Sequence, residues 1–359
     1  MTKATEEDSV STPRQPGRTT TIYSVAEAAG VSIASVSRVL QGSSAVSDRT
    51  RDRVLAAAST LNYVPLAAAR NLAVRHHEAF ALVLPELDGP YFAELMMGFE
   101  SRASELGHSV VLLMTAGKAD VAKAVRTTAA RVDALAVMGS ARVGRQVVTA
   151  LGDAKPVLLI AGDDDDDAEY AGRPEIIHAE NLASAVDLCA HVIGHGRQRL
   201  LFVGDPDVAA DVRDRHRGFV LAHEAVGRVA APPVRVGLRE RDGIAVAQQL
   251  LAGEHGTPQG PVDAVVCAND ELALSLMTRL RAAGRRVPQD LAVVGWDDVM
   301  AARFITPTLT TVRQPVRLLG ELAASRLHGV LHDIPARPGP HVLPTDLILR
   351  GSCGCPEPT

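Results

Sequence analysis

From Ala79 to Gly295 short apolar runs alternate with amphipathic segments, and this alternation restricts the fold more than any other feature of the chain. The runs are rich in Val, Leu, Ile and Ala, as expected of strands that are buried on both faces of a parallel sheet. So many strands exceed one comfortable sheet, and we therefore expect two α/β subdomains. The predicted strands are Ala79–Leu84, Val110–Met114, Ala134–Met138, Val157–Ile160, Ile176–His178, Arg199–Val203, Val234–Val236, Ala264–Ala268 and Leu291–Gly295.

The segments between these runs have the apolar spacing of helices. Helices that cover both faces of a parallel sheet leave the carboxyl ends of the strands open, and ligands bind there. Two such sheets that face each other form a cleft. The predicted helices are Ala93–Leu106, Val143–Ala150, Ala183–Ile193, Val212–Ala225, Gly243–Leu251 and Glu271–Ala283.

Charged, amide and aromatic side chains follow several of the predicted strands. Together they supply hydrogen-bonding groups and flat apolar faces, the set that suits a polyhydroxylated ligand. We expect a small polar effector, a sugar, with a nucleobase or nucleoside as the alternative. Asp270 is interpreted as a helix cap, and Trp296 also fits simple packing. The candidate effector-binding residues are Asp88, Tyr91, Phe92, Arg215, Asn269, Trp296 and Asp297.

Ahead of this region the chain has the pattern of a helix-turn-helix, two short helices joined by a tight turn that contains glycine. The alternative is a small three-helix bundle with no role in DNA binding. The expected elements are a first helix from Val25 to Gly30 with a Ser24–Glu27 capping box, a second from Ile33 to Leu40 capped by Ser32, and a third from Thr50 to Leu61 capped by Ser47 or Asp48.

Apolar spacing predicts which faces of these helices are buried. The inward side chains are Val25, Ala29, Val31, Val36, Leu40, Val54, Leu55, Ala58 and Leu61. The second helix then presents its N-terminal end outward, and in this motif that end enters the major groove. The outward side chains are Ile33, Ala34, Ser35, Ser37 and Arg38.

The charge is distributed unevenly along the chain. Nine basic and six acidic side chains up to residue 77 give a net charge of +3, which leaves −8 for the remainder of a chain whose total is −5. A basic N-terminal region on an acidic body indicates DNA contact at one end of the molecule.

In the N-terminal helices and in the α/β region alike, the sequence resembles the lactose-repressor/galactose-repressor (LacI-type) family of bacterial transcription regulators. The likeness spans residues 21–352 and keeps the family's order and spacing. Its N-terminal motifs are Tyr23-Ser24-Val25-Ala26, Ala29-Gly30-Val31-Ser32, Val36-Ser37-Arg38-Val39-Leu40, Val46-Ser47, Thr50-Arg51, Leu61-Asn62-Tyr63-Val64-Pro65 and Ala69-Arg70-Asn71-Leu72. Its C-terminal motifs include Pro90-Tyr91-Phe92, Arg215 three residues before Gly218-Phe219, Ala268-Asn269-Asp270 and Val294-Gly295-Trp296-Asp297-Asp298.

The resemblance implies a homodimer, with a tetramer as the alternative, that binds a palindromic double-stranded DNA operator. It implies a hinge helix over Leu66–Leu72, with Leu72 inserted into the minor groove, and effector contacts by Arg215, Asn269 and Asp297. This chain departs from the family pattern at Ala179-Glu180-Asn181, where the family usually has Asp-Asn. The implied DNA-contacting residues are Tyr23, Ser32, Ile33, Ala34, Ser35, Ser37, Arg38, Asn62, Tyr63, Ala69, Arg70 and Leu72.

The resemblance also implies the fold of periplasmic sugar-binding proteins, in which the chain crosses between the subdomains three times. The crossings are expected near residues 175, 309 and 340. The expected domains are a disordered tail 1–20, a helix-turn-helix domain 21–64, a hinge and linker 65–77, an effector-binding and dimerisation domain 78–352 and a tail 353–359. The last domain divides into subdomain N, about 78–175 and 310–339, and subdomain C, about 176–309 and 340–352.

Other protein classes fit less well. The chain has no Walker-type phosphate loop, no Gly-x-Ser-x-Gly and no His-Glu-x-x-His, so we expect no enzyme and no catalytic residue. No apolar run approaches the roughly 20 residues that span a bilayer. A stand-alone sugar carrier would leave the N-terminal motif unexplained and would need a secretion signal. We therefore expect a cytoplasmic, nucleoid-associated repressor with no cofactor.

Metal binding is not predicted. Cys353 and Cys355 flank one glycine, but no further ligand is near them in sequence. His191 and His195 have no cysteine or carboxylate partner at a suitable spacing and are interpreted as helix-end residues. The acidic run Asp163–Asp167 is interpreted as a solvated loop and not as a Ca²⁺ site.

Overall fold

The computed structural model describes residues 21–40, 45–63, 77–162, 174–207, 209–257, 260–334 and 341–356. The chain forms two compact units, divided between residues 76 and 77. The predicted tail 1–20, the hinge helix Leu66–Leu72 and the acidic run Asp163–Asp167 lie outside the described residues. Within those residues, no helix has both the length and the apolar character needed to cross a membrane.

The first unit contains three helices, α1 (Ile22–Ala29), α2 (Ile33–Leu40) and α3 (Asp48–Thr60). Helix α1 begins three residues before its predicted start, because Thr21 and not Ser24 is the N-cap, and Ser24 is the third helical residue, which completes the capping box. The Ser24 amide donates to the Thr21 hydroxyl at 3.4 Å. The early start places Ile22 against the core of the unit.

The core of this unit confirms most of the predicted inward face. Val25, Ala29, Val36, Val54 and Ala58 are buried. Val31, Leu40 and Leu61 are partly buried and pack against them. The prediction for Leu55 was wrong, because its side chain is 49% exposed. Val54, Ala58 and Leu61 follow one another at spacings of four and three residues along the inward stripe of α3, and Leu55 lies off that stripe, toward solvent.

The second unit is built from strands that alternate with helices, as the sequence predicts. Its helices are α4 (Pro90–Glu105), α5 (Val121–Ala129), α6 (Arg145–Gly152), α7 (Leu182–Gly194), α8 (Ala210–Glu224), α9 (Glu240–Ala252), α10 (Asp270–Ala282) and α11 (Val316–Leu331). Its strands are β1 (Ala79–Leu84), β2 (Ser109–Met114), β3 (Ala134–Met138), β4 (Val157–Ile160), β5 (Glu175–Ala179), β6 (Leu200–Val203), β7 (Gly256–Thr257), β8 (Gly260–Pro261), β9 (Ala264–Cys267), β10 (Ala292–Val294), β11 (Thr311–Arg313), β12 (His341–Leu343) and β13 (Asp346–Ile348).

Two parallel sheets organise the described part of this unit. The first has six strands in the order β12-β5-β4-β3-β1-β2, and the second has three in the order β10-β9-β6. Each sheet has its own buried apolar core. Strands β11 and β13 form an antiparallel pair, and β11 is joined to the second sheet by bridges from Val294 to Thr310 and from Asp297 to Arg313. The two-subdomain prediction is therefore confirmed.

The structure corrects several details of the predicted order. Strand β5, predicted to belong to the second sheet, pairs with β4 and β12 in the first, so the chain leaves the first sheet after Ala179 rather than near residue 175. Strand β12 belongs to the first sheet as well, although its residues were assigned to subdomain C. The predicted strand Val234–Val236 is reduced to one bridge between Val234 and Val203. Helices α5 and α11 were not predicted, although Asp120 caps α5 and its Val125 and Ala129 are buried at helical spacing.

Candidate nucleic-acid interface and effector cavity

The outer face of α2 carries the side chains that the sequence assigns to DNA readout. Ile33 is 41% exposed, and Ala34 and Arg38 are exposed as well. The Ser35 amide donates to the Ser32 hydroxyl at 3.2 Å, which caps the start of the helix as predicted. Ser35 and Ser37 are half-buried. The N-terminal end of α2 is therefore open to a partner.

The other residues of the predicted interface have mixed environments. Tyr23 on α1 is 67% exposed. Asn62 is exposed with a left-handed backbone (φ 46°), whereas Tyr63 is half-buried and packs against the core of the unit. Ala69, Arg70 and Leu72 lie outside the described residues.

Arg53 has a structural role that the sequence interpretation missed. Its guanidinium on α3 donates to the carbonyl oxygen of Ala29 at 2.6 Å, at the end of α1. A Cβ at Gly30 would approach the same guanidinium to 2.8 Å, and Gly30 has a φ of +62°. This bond ties the turn before α2 to the third helix and so fixes the orientation of the exposed face.

A cavity of about 430 Å³ lies at the carboxyl ends of strands from both sheets. Six of the seven predicted effector-binding residues line it: Asp88, Tyr91, Phe92, Arg215, Asn269 and Asp297. The loop after β1 supplies Asp88, α4 supplies the two aromatic rings, and Arg215 lies on α8. Parallel strands that end at one edge of their sheet bring these distant positions together.

Trp296 differs from its predicted position. Its side chain is 1% exposed, and it is not among the described residues that line the cavity. The Arg215 guanidinium lies 4.8 Å from the centre of its ring. The indole therefore supports Arg215 from behind through a cation–π contact, and it packs in the core as the alternative interpretation held.

Arg215 is held on all sides by protein atoms. It donates to the Asn181 amide oxygen at 2.8 Å, to the Ala268 carbonyl oxygen at 2.7 Å and to an Asp211 carboxylate oxygen at 2.9 Å. The residue is buried. Asn181 belongs to the segment in which this chain departs from the family pattern, and its amide oxygen orients the guanidinium. A planar group fixed in this way is pre-organised for directional hydrogen bonds.

Asp297 faces the same cavity with an unusual backbone, because its φ is +120°. One carboxylate oxygen accepts a hydrogen bond from the Gln314 amide at 2.6 Å. Burial raises the pKa of Asp297 well above its ordinary range; Arg215 opposes this shift, and the Asp270 carboxylate reinforces it. Burial, with the Asp211 and Asp297 carboxylates, also raises the pKa of the nearby Tyr91 phenol. Both groups are thus biased toward protonated forms that donate hydrogen bonds.

Asn269, and not Asp270, is the helix cap at this position. Asn269 caps α10, since its amide oxygen accepts from the Leu272 amide at 3.0 Å, and its amide nitrogen donates to the Leu238 carbonyl oxygen. Asp270, predicted to be the cap, is buried and accepts from the Thr311 hydroxyl and the Val299 amide at 2.7 and 2.9 Å. Asp270 therefore fastens the loop at Val299 to strand β11 instead of capping the helix.

The cavity contains charged residues that sequence reasoning did not select. Arg239 forms ion pairs with Glu86 and, at 3.9 Å, with Asp88. Burial raises the pKa of Glu271, and the Asp88 carboxylate raises it further. The described lining includes six acidic residues and three arginines: Glu86, Asp88, Asp211, Asp242, Glu271, Asp297, Arg215, Arg239 and Arg241. No strand end or motif marks Arg239 or Asp242 in the sequence.

A second group of side chains lies outside this cavity and joins two pairs that the sequence interpretation treated separately. His191, His195, Cys353 and Cys355 bring one ligand atom each to within 4.8 Å of the others. The sequence interpretation treated the two pairs as unrelated because some 160 residues separate them. The fold closes that separation by placing the C-terminal turn against the end of α7.

The exposed recognition helix and the ligand-sized cavity define a DNA-binding regulator that responds to a small molecule. Residues 21–65 match the family model for bacterial regulatory proteins of the lacI family, and residues 189–353 match that for a periplasmic binding protein-like domain. The chain is 31% identical to the HTH-type transcriptional repressor PurR of Photorhabdus laumondii, over 86% of this chain and 89% of the relative. The chain belongs to the lacI family of bacterial regulatory proteins.

Two further relatives agree with this assignment. The HTH-type transcriptional repressor CytR of Escherichia coli (strain K12) is 28% identical over 92% of this chain and 96% of its own length. The crystal structure of the lac repressor dimer bound to operator and the anti-inducer ONPF superposes with a TM-score of 0.80, at 28% identity, over 94% of this chain and 99% of that one. The protein is thus a non-enzymatic, DNA-binding repressor with an effector-binding domain.

Proposed function

We propose that the effector is a neutral polyhydroxylated molecule of the sugar class, bound in the cavity by Arg215, Asn269 and Asp297, with Phe92 against its apolar face. The observation that carries this proposal is the charge of the cavity lining. Even with Asp297 protonated, five acidic residues outnumber three arginines, and each arginine already has a carboxylate within 4 Å. A phosphate or carboxylate ligand would meet net repulsion there.

The hydrogen-bonding capacity of the cavity is a second reason to expect a ligand with hydroxyl groups. Asp297 and Tyr91, with raised pKa values, can donate as well as accept hydrogen bonds. A sugar hydroxyl also does both, so each contact can be satisfied in either direction. The transcriptional regulator CelR, solved as its cellobiose complex, aligns at 28% identity with a TM-score of 0.66 over 93% of this chain, which supports the sugar class.

Matched ligands test this proposal. Neutral mono- and disaccharides, the phosphate esters of the same sugars, and nucleosides are screened by calorimetry against the full chain. We expect a neutral sugar to bind and its phosphate ester to bind at least ~10-fold more weakly, because a net negative lining opposes the added charge. Binding of nucleosides alone would replace the sugar class, and tighter binding of a phosphate ester would contradict the charge argument.

The variant Asp297→Ala tests whether the ligand binds in this cavity. This variant should bind operator DNA like the wild type but lose its response to the sugar, because a buried hydrogen-bonding partner is removed. Asp346→Ala, an exposed carboxylate on β13, is the matched control. An unchanged response of Asp297→Ala would place the ligand elsewhere.

We propose further that Ile33, Ala34 and Arg38 contact operator bases or phosphates, and that two copies of the chain read a palindrome. Ile33 and Ala34 offer only apolar contact, such as with a thymine methyl group. One helix reads few base pairs, so useful specificity needs two. Strand β2 lies at the edge of the first sheet with Val111, Leu112 and Met114 between 36% and 44% exposed, which suits coverage by a second copy.

Footprinting on selected operator sequences tests this arrangement. Protection of an inverted repeat is expected, with half-sites about one helical turn or a multiple apart. Protection of a single asymmetric half-site by a monomer would contradict the dimer.

We also propose that the sugar lowers operator affinity, with a coupling free energy of about 1–3 kcal/mol. An increase in operator affinity on adding the sugar would show that the coupling has the opposite sign.

A further inference from the structure

The C-terminal turn and the end of α7 bring together four side chains that bind soft metals. His191 and His195 are one helical turn apart and therefore lie on the same face of α7. Cys353 ends a short 3-10 helix, Gly351–Cys353, and Cys355 follows after one glycine. Cys353 is buried, His191 and Cys355 are half-buried, and His195 is exposed. The group is thus sealed on one side and reachable from the other.

The distances fit one tetrahedral ion. His191 Nε2 lies 3.5 Å from Cys353 Sγ and 3.4 Å from Cys355 Sγ, and His195 Nε2 lies 3.3 Å from Cys355 Sγ. Zinc bonds of about 2.3 Å to sulfur and about 2.0 Å to nitrogen give nitrogen–sulfur edges of about 3.5 Å in a tetrahedron. Three of the six edges of the tetrahedron thus already have the required length, and all four ligand atoms lie within 4.8 Å of one another.

The backbone around the cysteines is fixed by other parts of the fold. The buried Ser352 hydroxyl donates to the Val293 carbonyl oxygen at 2.5 Å and accepts from the Thr310 amide at 2.9 Å. Gly354 has a φ of +113°, a conformation that disfavours any residue with a Cβ. That turn directs Cys355 back toward the histidines. The cysteine pair is therefore anchored to the second sheet before any ion binds.

We propose that His191, His195, Cys353 and Cys355 bind one Zn²⁺ ion as a structural site. Two thiolates and two imidazoles in a tetrahedron are a ligand set that zinc prefers, and four protein ligands leave no open position for catalysis. The ion would join the C-terminal segment to α7 and so stabilise the second subdomain. On binding, the two thiols lose their protons to solvent and the two imidazoles coordinate in their neutral form.

Metal titration of the full chain tests the proposal. The reduced, chelator-treated protein is titrated with Zn²⁺ and, separately, with Co²⁺, whose visible spectrum reports tetrahedral thiolate ligation. We expect about one equivalent of either metal per chain, protection of the half-buried Cys355 thiol from a thiol reagent, and a rise in the unfolding temperature. Elemental analysis of protein purified without chelator should find zinc in the same ratio.

Conservative substitutions of the ligand residues test whether zinc binds at this site rather than at another group of side chains. Cys355→Ser and His195→Gln change accessible ligands, and each should weaken Zn²⁺ binding by more than the roughly 10–100-fold that loss of an outer-shell partner causes. The matched control is His332→Gln in the separate group His108, His328 and His332, which should leave zinc affinity unchanged. Circular dichroism of the metal-free proteins checks that all of them fold.

Three results would overturn the proposal. The first is a wild-type chain that binds Zn²⁺ no more tightly than Cys355→Ser under reducing conditions. The second is loss of the tight equivalent in His332→Gln with retention in Cys355→Ser, which would move the metal to the other histidine group. A spectrum of octahedral Co²⁺ in the wild type would likewise exclude thiolate ligation at this site.

Discussion

The two candidate sites of this repressor present their side chains in opposite ways. On α2 the candidate DNA-contacting residues lie within six positions of one helix, Ile33, Ala34 and Arg38 among them are exposed, and within the described chain Arg38 forms no ion pair. In the cavity, Arg215, Asn269 and Asp297 come from three distant segments, and each already has a hydrogen-bonding partner from the protein. A change in α2 should therefore alter binding alone, whereas a change in the cavity should alter both binding and stability.

The largest effect is expected from Arg215→Met. Removing this buried cation leaves Asp211 and Asn181 without their partner and should lower the free energy of unfolding by about 3–5 kcal/mol. The exposed Arg217 on the same helix provides the control, and Arg217→Met should change the free energy of unfolding by less than ~0.5 kcal/mol. Chemical denaturation measures both values. Equal losses in the two variants would show that the hydrogen bonds of Arg215 do not stabilise the fold.

Asp270→Asn should change how stability depends on pH. Burial raises the pKa of Asp270 to about 6, against the opposing hydrogen bond from Thr311. Between the unfolded pKa near 4 and that value the folded protein binds the extra proton, so this residue's contribution to stability falls as pH rises, by on the order of 3 kcal/mol. Asparagine mimics the protonated acid and does not titrate.

The difference in unfolding free energy between wild type and Asp270→Asn is the quantity to measure, because other carboxylates titrate in both proteins. It should shift in favour of the variant from pH 4 to pH 6 and stay level above that range. A difference that is independent of pH across this window would refute the raised pKa.

Arg38→Ala should weaken operator binding without changing stability. Loss of one base or phosphate contact is expected to reduce affinity by about 1–3 kcal/mol, roughly 5- to 150-fold. Because the side chain is exposed, the unfolding free energy should change by less than ~0.5 kcal/mol. Binding to scrambled DNA at several salt concentrations separates the two kinds of contact. Unchanged operator affinity would remove Arg38 from the interface.

The smallest effect is expected at Leu55, where sequence and structure disagree. Leu55→Ala should change the stability of the helical unit by less than ~0.5 kcal/mol, whereas Val54→Ala should lower it by about 1–2 kcal/mol. Val54 is fully buried and Leu55 is 49% exposed. Hydrogen exchange of α3 amides in the full chain reports both values. A larger loss for Leu55→Ala would restore the predicted inward face.

Much of the fold could be predicted because its signals are local. Apolar runs located β1, β3 and β4 at their observed bounds, and capping residues and glycine located α2. Strand β5 was assigned to the wrong sheet because pairing partners are not encoded in a five-residue run. Val234–Val236 has strand-like residues, yet it forms only one bridge to the second sheet. Its conformation therefore depends on pairing with that sheet and not on its own residue types.

The sequence by itself determined the class of the protein and the exposed face of α2, because a short helix carries its own period, caps and turn. Strand-end chemistry also selected six of the residues that line the cavity. Only the tertiary structure showed that Trp296 lies behind Arg215, that Arg239 and Glu271 complete the cavity, and that His191 meets Cys355. These are contacts between residues far apart in sequence, and their geometry depends on how whole sheets and helices pack rather than on any local pattern.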